Sequence, residues 1–226
     1  MPVDPAYTLF KQVVKKEKFD GIICLGDMMD FSYVSRWTED QPGLTEGKRL
    51  KADFDIFRSE LEFFNKNTKE VLFLEGNHCQ RVNKYILKNP VLEGILSLKE
   101  ICNETNTTFI PMEQQPYRFL PDLLITHGIS LSKYHAAQAV QSAGLSIIEA
   151  HTHRTQSFSY RYPDGRVITG YGVGTLGTLN PNYTAGVRVN GWTQSFSILY
   201  KDTSVWQLDT IMINGNTCII GGKRYE

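Results

Sequence analysis

Short apolar runs that stop at small polar residues set the rhythm of this chain. Ile22-Ile23-Cys24-Leu25 ends at Gly26-Asp27, and Val71-Leu72-Phe73-Leu74 runs into Gly76-Asn77-His78. Leu123-Leu124-Ile125 leads to Thr126-His127-Gly128, and Ser146-Ile147-Ile148 leads to His151-Thr152-His153. Runs of this length and composition predict buried strands that feed loops. Between the first two, Leu50, Phe54, Phe57, Leu61 and Phe64 recur at steps of four and three, which predicts an amphipathic helix with its aromatics in the core. Asp4-Pro5 is a helix start, an N-cap acceptor followed by proline, and Leu9, Phe10, Val13 and Val14 then share one face. Further helices are predicted over roughly 83–103, interrupted near Pro90, and from Ser132 to Ala143.

The texture changes after His153. Asp164-Gly165, Asn190-Gly191 and Asn214-Gly215 each lie between apolar or β-branched runs, a strong hairpin signal. Alternating βα units followed by hairpins predict an α/β fold with a sheet-on-sheet core and helices outside. With no linker, repeat or low-complexity tract, a single domain spanning 1–226 is expected.

Composition narrows the function classes. The chain has 226 residues, 41% hydrophobic, enough for one sizeable core. Lys+Arg and Asp+Glu both number 24, so there is no basic excess of the kind that grips nucleic acid through phosphates. Lys15, Lys16 and Lys18 form the one basic cluster, read as the solvated face of a helix. Cys24, Cys79, Cys102 and Cys218 are far apart, with neither CxxC spacing nor the density of a disulfide framework. The opening Met1-Pro2-Val3-Asp4-Pro5 is unlike a signal peptide, and no apolar run reaches the roughly eighteen residues that span a bilayer. A soluble cytoplasmic protein with reduced thiols and no membrane partner is expected.

The candidate chemistry lies in where the polar residues fall. Asp27, Asn77, His127, His151 and His153 all follow predicted strands, the edge of an α/β sheet at which ligands gather. A carboxylate, an amide oxygen and imidazole nitrogens make a mixed donor set that suits manganese, iron or zinc better than calcium. Each piece alone has a plainer reading: Gly-Asp as a turn, Gly-Asn-His as a loop closure, a single His127 as a hydrogen-bonded loop residue. His-x-His is more telling, because alternate residues of a strand project to one side.

In order, GDMMD, GNH, THG and HTH resemble the successive motifs of the calcineurin-like metallophosphoesterases. The likeness runs from the first helix to the closing strands and is nearest to the small phosphoesterases of phages and bacteria. The family's protein Ser/Thr phosphatases continue GD with VDRG, whereas this chain continues with Met28-Met29-Asp30-Phe31. The resemblance implies a β-sandwich of two mixed sheets flanked by α-helices, and a two-cation site taking Mn²⁺ first, with Fe, Zn or Mg²⁺ as alternatives. Asp27 would bridge the cations, Asn77, His127 and His151 would complete the shell of one, and His153 would serve the other. His78 resembles the family's histidine that faces the phosphate and protonates the leaving oxygen, while a metal-activated hydroxide attacks in line. Asp30 would orient a ligand histidine or a loop amide. Arg81 could touch the phosphate, although a surface salt bridge is the plainer reading. Cys79 reads as a packing substitution, and His135 as a partly exposed helix residue that matches no ligand position.

Family members open with a strand ending in Asp-x-His, and nothing at this N-terminus matches it. The chain is expected to begin just past that motif, without the first strand, and a shortened reading of the gene is favoured over a natural one-metal enzyme. The resemblance implies a phosphate-ester hydrolase, phosphodiesters preferred and nucleic acid or nucleotides as candidate substrates, acting in a bacterial or phage-infected cell. Tyr171, Tyr183 and Trp192 could form a stacking wall, with hairpin-core aromatics as the simpler reading. The alternative function is a phosphoesterase-like binding module without turnover. Oligomeric state is not legible in the sequence.

Overall fold

The computed structural model describes residues 4–38, 40–94, 97–128, 130–181 and 190–226. The chain forms two compact units, Lys18–Tyr117 and a second that joins Met1–Glu17 to Arg118–Glu226.

In the unit Lys18–Tyr117, three parallel strands lie in the order β1 (Gly21–Cys24), β2 (Glu70–Leu74) and β3 (Thr108–Ile110). Parallel neighbours need long crossovers, usually helical. Here α2 (Pro42–Thr45) and α3 (Leu50–Asn67) separate β1 from β2, and α4 (Cys79–Lys88) and α5 (Leu98–Glu104) separate β2 from β3. The helix expected over 83–103 is thus two helices, the first beginning at Cys79 and ending before Pro90, where the ring would clash with a continuing helix. The stripe read in α3 is buried at Phe54, Phe57, Leu61 and Phe64. Phe57 meets Phe73 of β2 edge-on at 4.9 Å, and Phe73 stacks on Phe109 of β3 at 6.2 Å. A ladder of rings thus joins α3, β2 and β3, while backbone pairing sets Cys24 of β1 opposite Phe73 of β2 and brings the loops at Asp27 and Asn77 side by side.

In the other unit, α1 (Pro5–Glu17) starts at the expected cap, with Ala6 N donating to Asp4 Oδ1 at 2.9 Å. A five-stranded sheet has the order β4 (Tyr117–Leu120), β5 (Leu123–Thr126), β6 (Ser146–Glu149), β8 (Val167–Gly172), β7 (Gln156–Arg161). β5, β6 and β8 are parallel, and β7 returns antiparallel to β8 through the expected Asp164-Gly165 turn. All four residues of β6 are buried, Ser146 and Glu149 as well as Ile147 and Ile148, so the strand shows no alternation. Helix α6 (His135–Ala143), shorter at its start than the sequence suggests, packs Ala139 and Val140 onto Ile147 and Ile168. Gly170 makes that approach possible, since a Cβ there would lie 2.2 Å from the Ala136 carbonyl oxygen.

Two hairpins close the chain, β9 (Ser195–Lys201) with β10 (Trp206–Met212) and β11 (Cys218–Ile220) with β12 (Lys223–Tyr225). Asn214-Gly215 makes the tight turn into β11. The expected Asn190-Gly191 hairpin falls beside residues 182–189, outside the described residues, and so does Tyr183. β9 and β10 instead turn at Asp202, whose Oδ1 accepts from the backbone of Ser204 and Val205. No described helix is long and apolar enough to cross a membrane.

Candidate metal centre

Asp27 leaves the end of β1 with φ 53, a left-handed conformation that short polar residues tolerate best. Its side chain is 7% exposed, and its Oδ1 accepts the His78 amide at 2.8 Å. Gly76 lies against it: a Cβ there would sit 2.1 Å from Asp27 Oδ1 and 2.7 Å from Asp27 N. The glycine of Gly-Asn-His is thus a requirement of close approach. Glu75, just before it, is buried with both carboxylate oxygens occupied, Oε1 by Asn83 Nδ2 at 2.7 Å and Oε2 by Met112 N at 3.0 Å. These bonds tie the loop to α4 and to the turn after β3. Asn77 is half-buried in that loop.

His78 stands at the start of α4. Its Nδ1 lies 3.0 Å from Asp30 Oδ1, and its Nε2 lies 3.8 Å from Asp27 Oδ2, beyond hydrogen-bond range. Arg81 Nη1 donates to the same Asp30 oxygen at 2.8 Å and to the Asp30 carbonyl at 2.6 Å. Burial pushes the Asp30 carboxyl up, but hydrogen bonds from His78 and Ser32 and the charges of His78 and Arg81 outweigh it and bring it down to about 2. Cys79 is buried, and burial, helped by the Asp27 charge, pushes its thiol up to about 12. A thiol held protonated there is no nucleophile.

In the other unit, His127 follows β5 at 2% exposure, and its Nε2 lies 3.2 Å from His151 Nδ1. Ala150 N donates to the His127 carbonyl at 2.9 Å. A Cβ on Gly128 would fall 2.6 Å from His151 Cβ, so this glycine also permits a close approach. The His-x-His geometry differs from expectation. β6 ends at Glu149, and His151 (φ 60) and His153 (φ 56) sit in a left-handed turn beyond it, so strand alternation does not present them. The His153 ring packs against Trp192 at 4.3 Å, while Tyr171 meets Trp206 at 6.3 Å.

His135 corrects the sequence reading. It is completely buried at the first position of α6, with Nδ1 2.6 Å from the equally buried Glu149 Oε1. The signal was present in the spacing, since His135 shares a face with Ala136, Ala139 and Val140. Glu149, missed entirely, is a charged residue closing an apolar strand.

The His127–His151 contact tests whether a cation fits these donors. Two imidazole nitrogens at 3.2 Å share either one N–H···N bond or one ion. Two ligands each about 2.1 Å from a four- or six-coordinate ion stand about 3.0–3.4 Å apart, which matches. The donor type fits as well, since imidazole nitrogens are ligands that a borderline transition metal takes.

A fold of parallel βα units and closing hairpins, with such residues at the strand ends, defines a metal-dependent phosphoester hydrolase. The calcineurin-like phosphoesterase family model matches residues 3–164, and the chain belongs to that family, whose members work with two metal ions. It is 25% identical over 228 residues to the Gene 54 protein of Mycobacterium phage L5, covering 92% of this chain and 87% of that protein. The Gene 54 protein of Mycobacterium phage D29 is 26% identical over 225 residues, with the same coverage.

Proposed function

We propose that this protein hydrolyses phosphodiesters in preference to monoesters, with Mn²⁺ as the favoured ion and His78 as the general acid. The observation that carries the reading is the 3.2 Å approach of His127 Nε2 to His151 Nδ1, the spacing of two donors to one ion. The family's motif order assigns Asp27 and Asn77 to that ion with the two histidines, and His153 to a second ion that shares Asp27. Cations bound there would neutralise phosphate charge and make water nucleophilic near neutral pH. Asp27 holds its carboxylate through the His78 amide, so ligand and acid are fixed by one hydrogen bond.

His78 is oriented by Asp30: Nδ1–H donates to Oδ1, which leaves Nε2 to carry the proton to the leaving oxygen. Arg81 is engaged twice by Asp30, so its role is to fix that carboxylate, and a direct phosphate contact is not needed. Phage relatives favour a substrate met in an infected cell, and nucleic acid or a nucleotide is the natural candidate.

The test compares bis-p-nitrophenyl phosphate with p-nitrophenyl phosphate in the presence of Mn²⁺. A higher kcat/KM for the diester is expected. A clear monoester preference would overturn the substrate assignment while leaving the metal site standing.

A further inference from the structure

A polar cluster lies under the His151–His153 turn and takes no part in the proposed ligand set. His135 and Glu149 side chains are both 0% exposed, paired at 2.6 Å through Nδ1 and Oε1. On the ring's other side, Nε2 is 3.2 Å from Oγ1 of buried Thr152. That hydroxyl oxygen in turn accepts the Arg154 amide at 3.4 Å. The contacts form a continuous chain that runs from the Arg154 amide through the threonine hydroxyl and the ring to the carboxylate. Gly172 of β8 leaves room for the ring, since a Cβ there would fall 2.1 Å from His135 Cε1.

Stability alone does not account for this arrangement. Buried polar pairs of this kind are often no more stable than an apolar filling of the same volume. What the chain does hold is Thr152, the residue between two left-handed histidines. L-residues rarely adopt such a backbone unless the surroundings fix it. Three elements converge to do so: the first residue of α6, the last of β6, and the glycine of β8.

We infer that His135 is a positioning residue: through the Thr152 hydroxyl it fixes the turn that carries His151 and His153, and with it their ability to meet a divalent cation. The inference rests on reading those histidines as metal ligands. It concerns placement and not protonation.

The test uses the full chain with Thr152→Val, which removes the hydroxyl and keeps the volume, and Thr152→Ser, which keeps the hydroxyl. Mn²⁺ binding is read from the EPR signal of free Mn²⁺. Hydrogen exchange is followed at the Thr193 amide, which donates to the His153 carbonyl at 2.9 Å. Thr152→Val is expected to weaken Mn²⁺ binding about tenfold or more and to speed Thr193 exchange, with Thr152→Ser within about threefold of wild type on both. Thr152→Ala replaces the valine variant if that one does not fold. Wild-type binding and exchange in Thr152→Val, or equal losses in both variants, would overturn the inference. If wild type binds no Mn²⁺, the ligand reading fails. Exchange then decides alone: faster only without the hydroxyl supports the positioning role, and unchanged exchange refutes it.

Discussion

His78 Nδ1 stands 3.0 Å from Asp30 Oδ1, and that oxygen also receives Arg81 Nη1 at 2.8 Å. One carboxylate thus sets the tautomer and tilt of the histidine assigned as general acid.

Asp30→Asn keeps the shape and loses the charge, so it should disturb proton transfer more than binding. We expect kcat to fall by about tenfold to a hundredfold with KM nearly unchanged. His78→Ala should cost about 10²–10⁴ in kcat, most with poor leaving groups that need the proton. Steady-state kinetics over esters of graded leaving-group acidity checks both. A raised KM at constant kcat would assign Asp30 to binding instead.

The same carboxyl makes stability depend on pH. Its folded pKa of about 2 is below the ordinary 3.8, so its contribution is present above that value and is lost as pH falls towards 2. Its side chain is 41% exposed, so solvent screening keeps the effect modest. Urea unfolding of wild type and Asp30→Asn should therefore differ most at pH 5 and converge near pH 2. A gap that widens on acidification would contradict the assignment.

Gly76→Ala would bring a Cβ to 2.7 Å from the Asp27 backbone nitrogen, which cannot swing aside as the carboxylate can. Overpacking at such a contact costs about 1–3 kcal/mol. Gly128→Ala meets His151 Cβ at 2.6 Å and should behave alike. Gly43 of α2 has nothing within 4 Å of its added Cβ, so Gly43→Ala serves as a neutral control. Thermal melts together with Mn²⁺ binding separate the three.

The strand ends were legible because β2, β5 and β6 are largely buried and leave apolar runs that stop where the polar loops begin. Helix α3 was equally plain, since its four inward residues are large and regularly spaced. The start of α4 was hidden: Cys79 and Val82 are its buried residues, too few to give a period. Strands β3 and β4, three and four residues long, fall below any alternation signal. The Asp202 turn lacks the Asn-Gly or Asp-Gly pair that marks a hairpin, because an Asx side chain closes it. At the site, residue types and order were readable. The left-handed backbone of His151 and His153 was not, and neither was the partner of His135, because its contacts with Glu149 and Gly172 are made across the fold.

Hydrolysis of bis-p-nitrophenyl phosphate by the full chain, with Mn²⁺ and after chelation, tests the central claim most directly. The account expects Mn²⁺-dependent turnover that EDTA abolishes, that returned metal restores, and that His151→Ala and Asn77→Ala both lose. Turnover that survives EDTA, or that His151→Ala leaves intact, would contradict it.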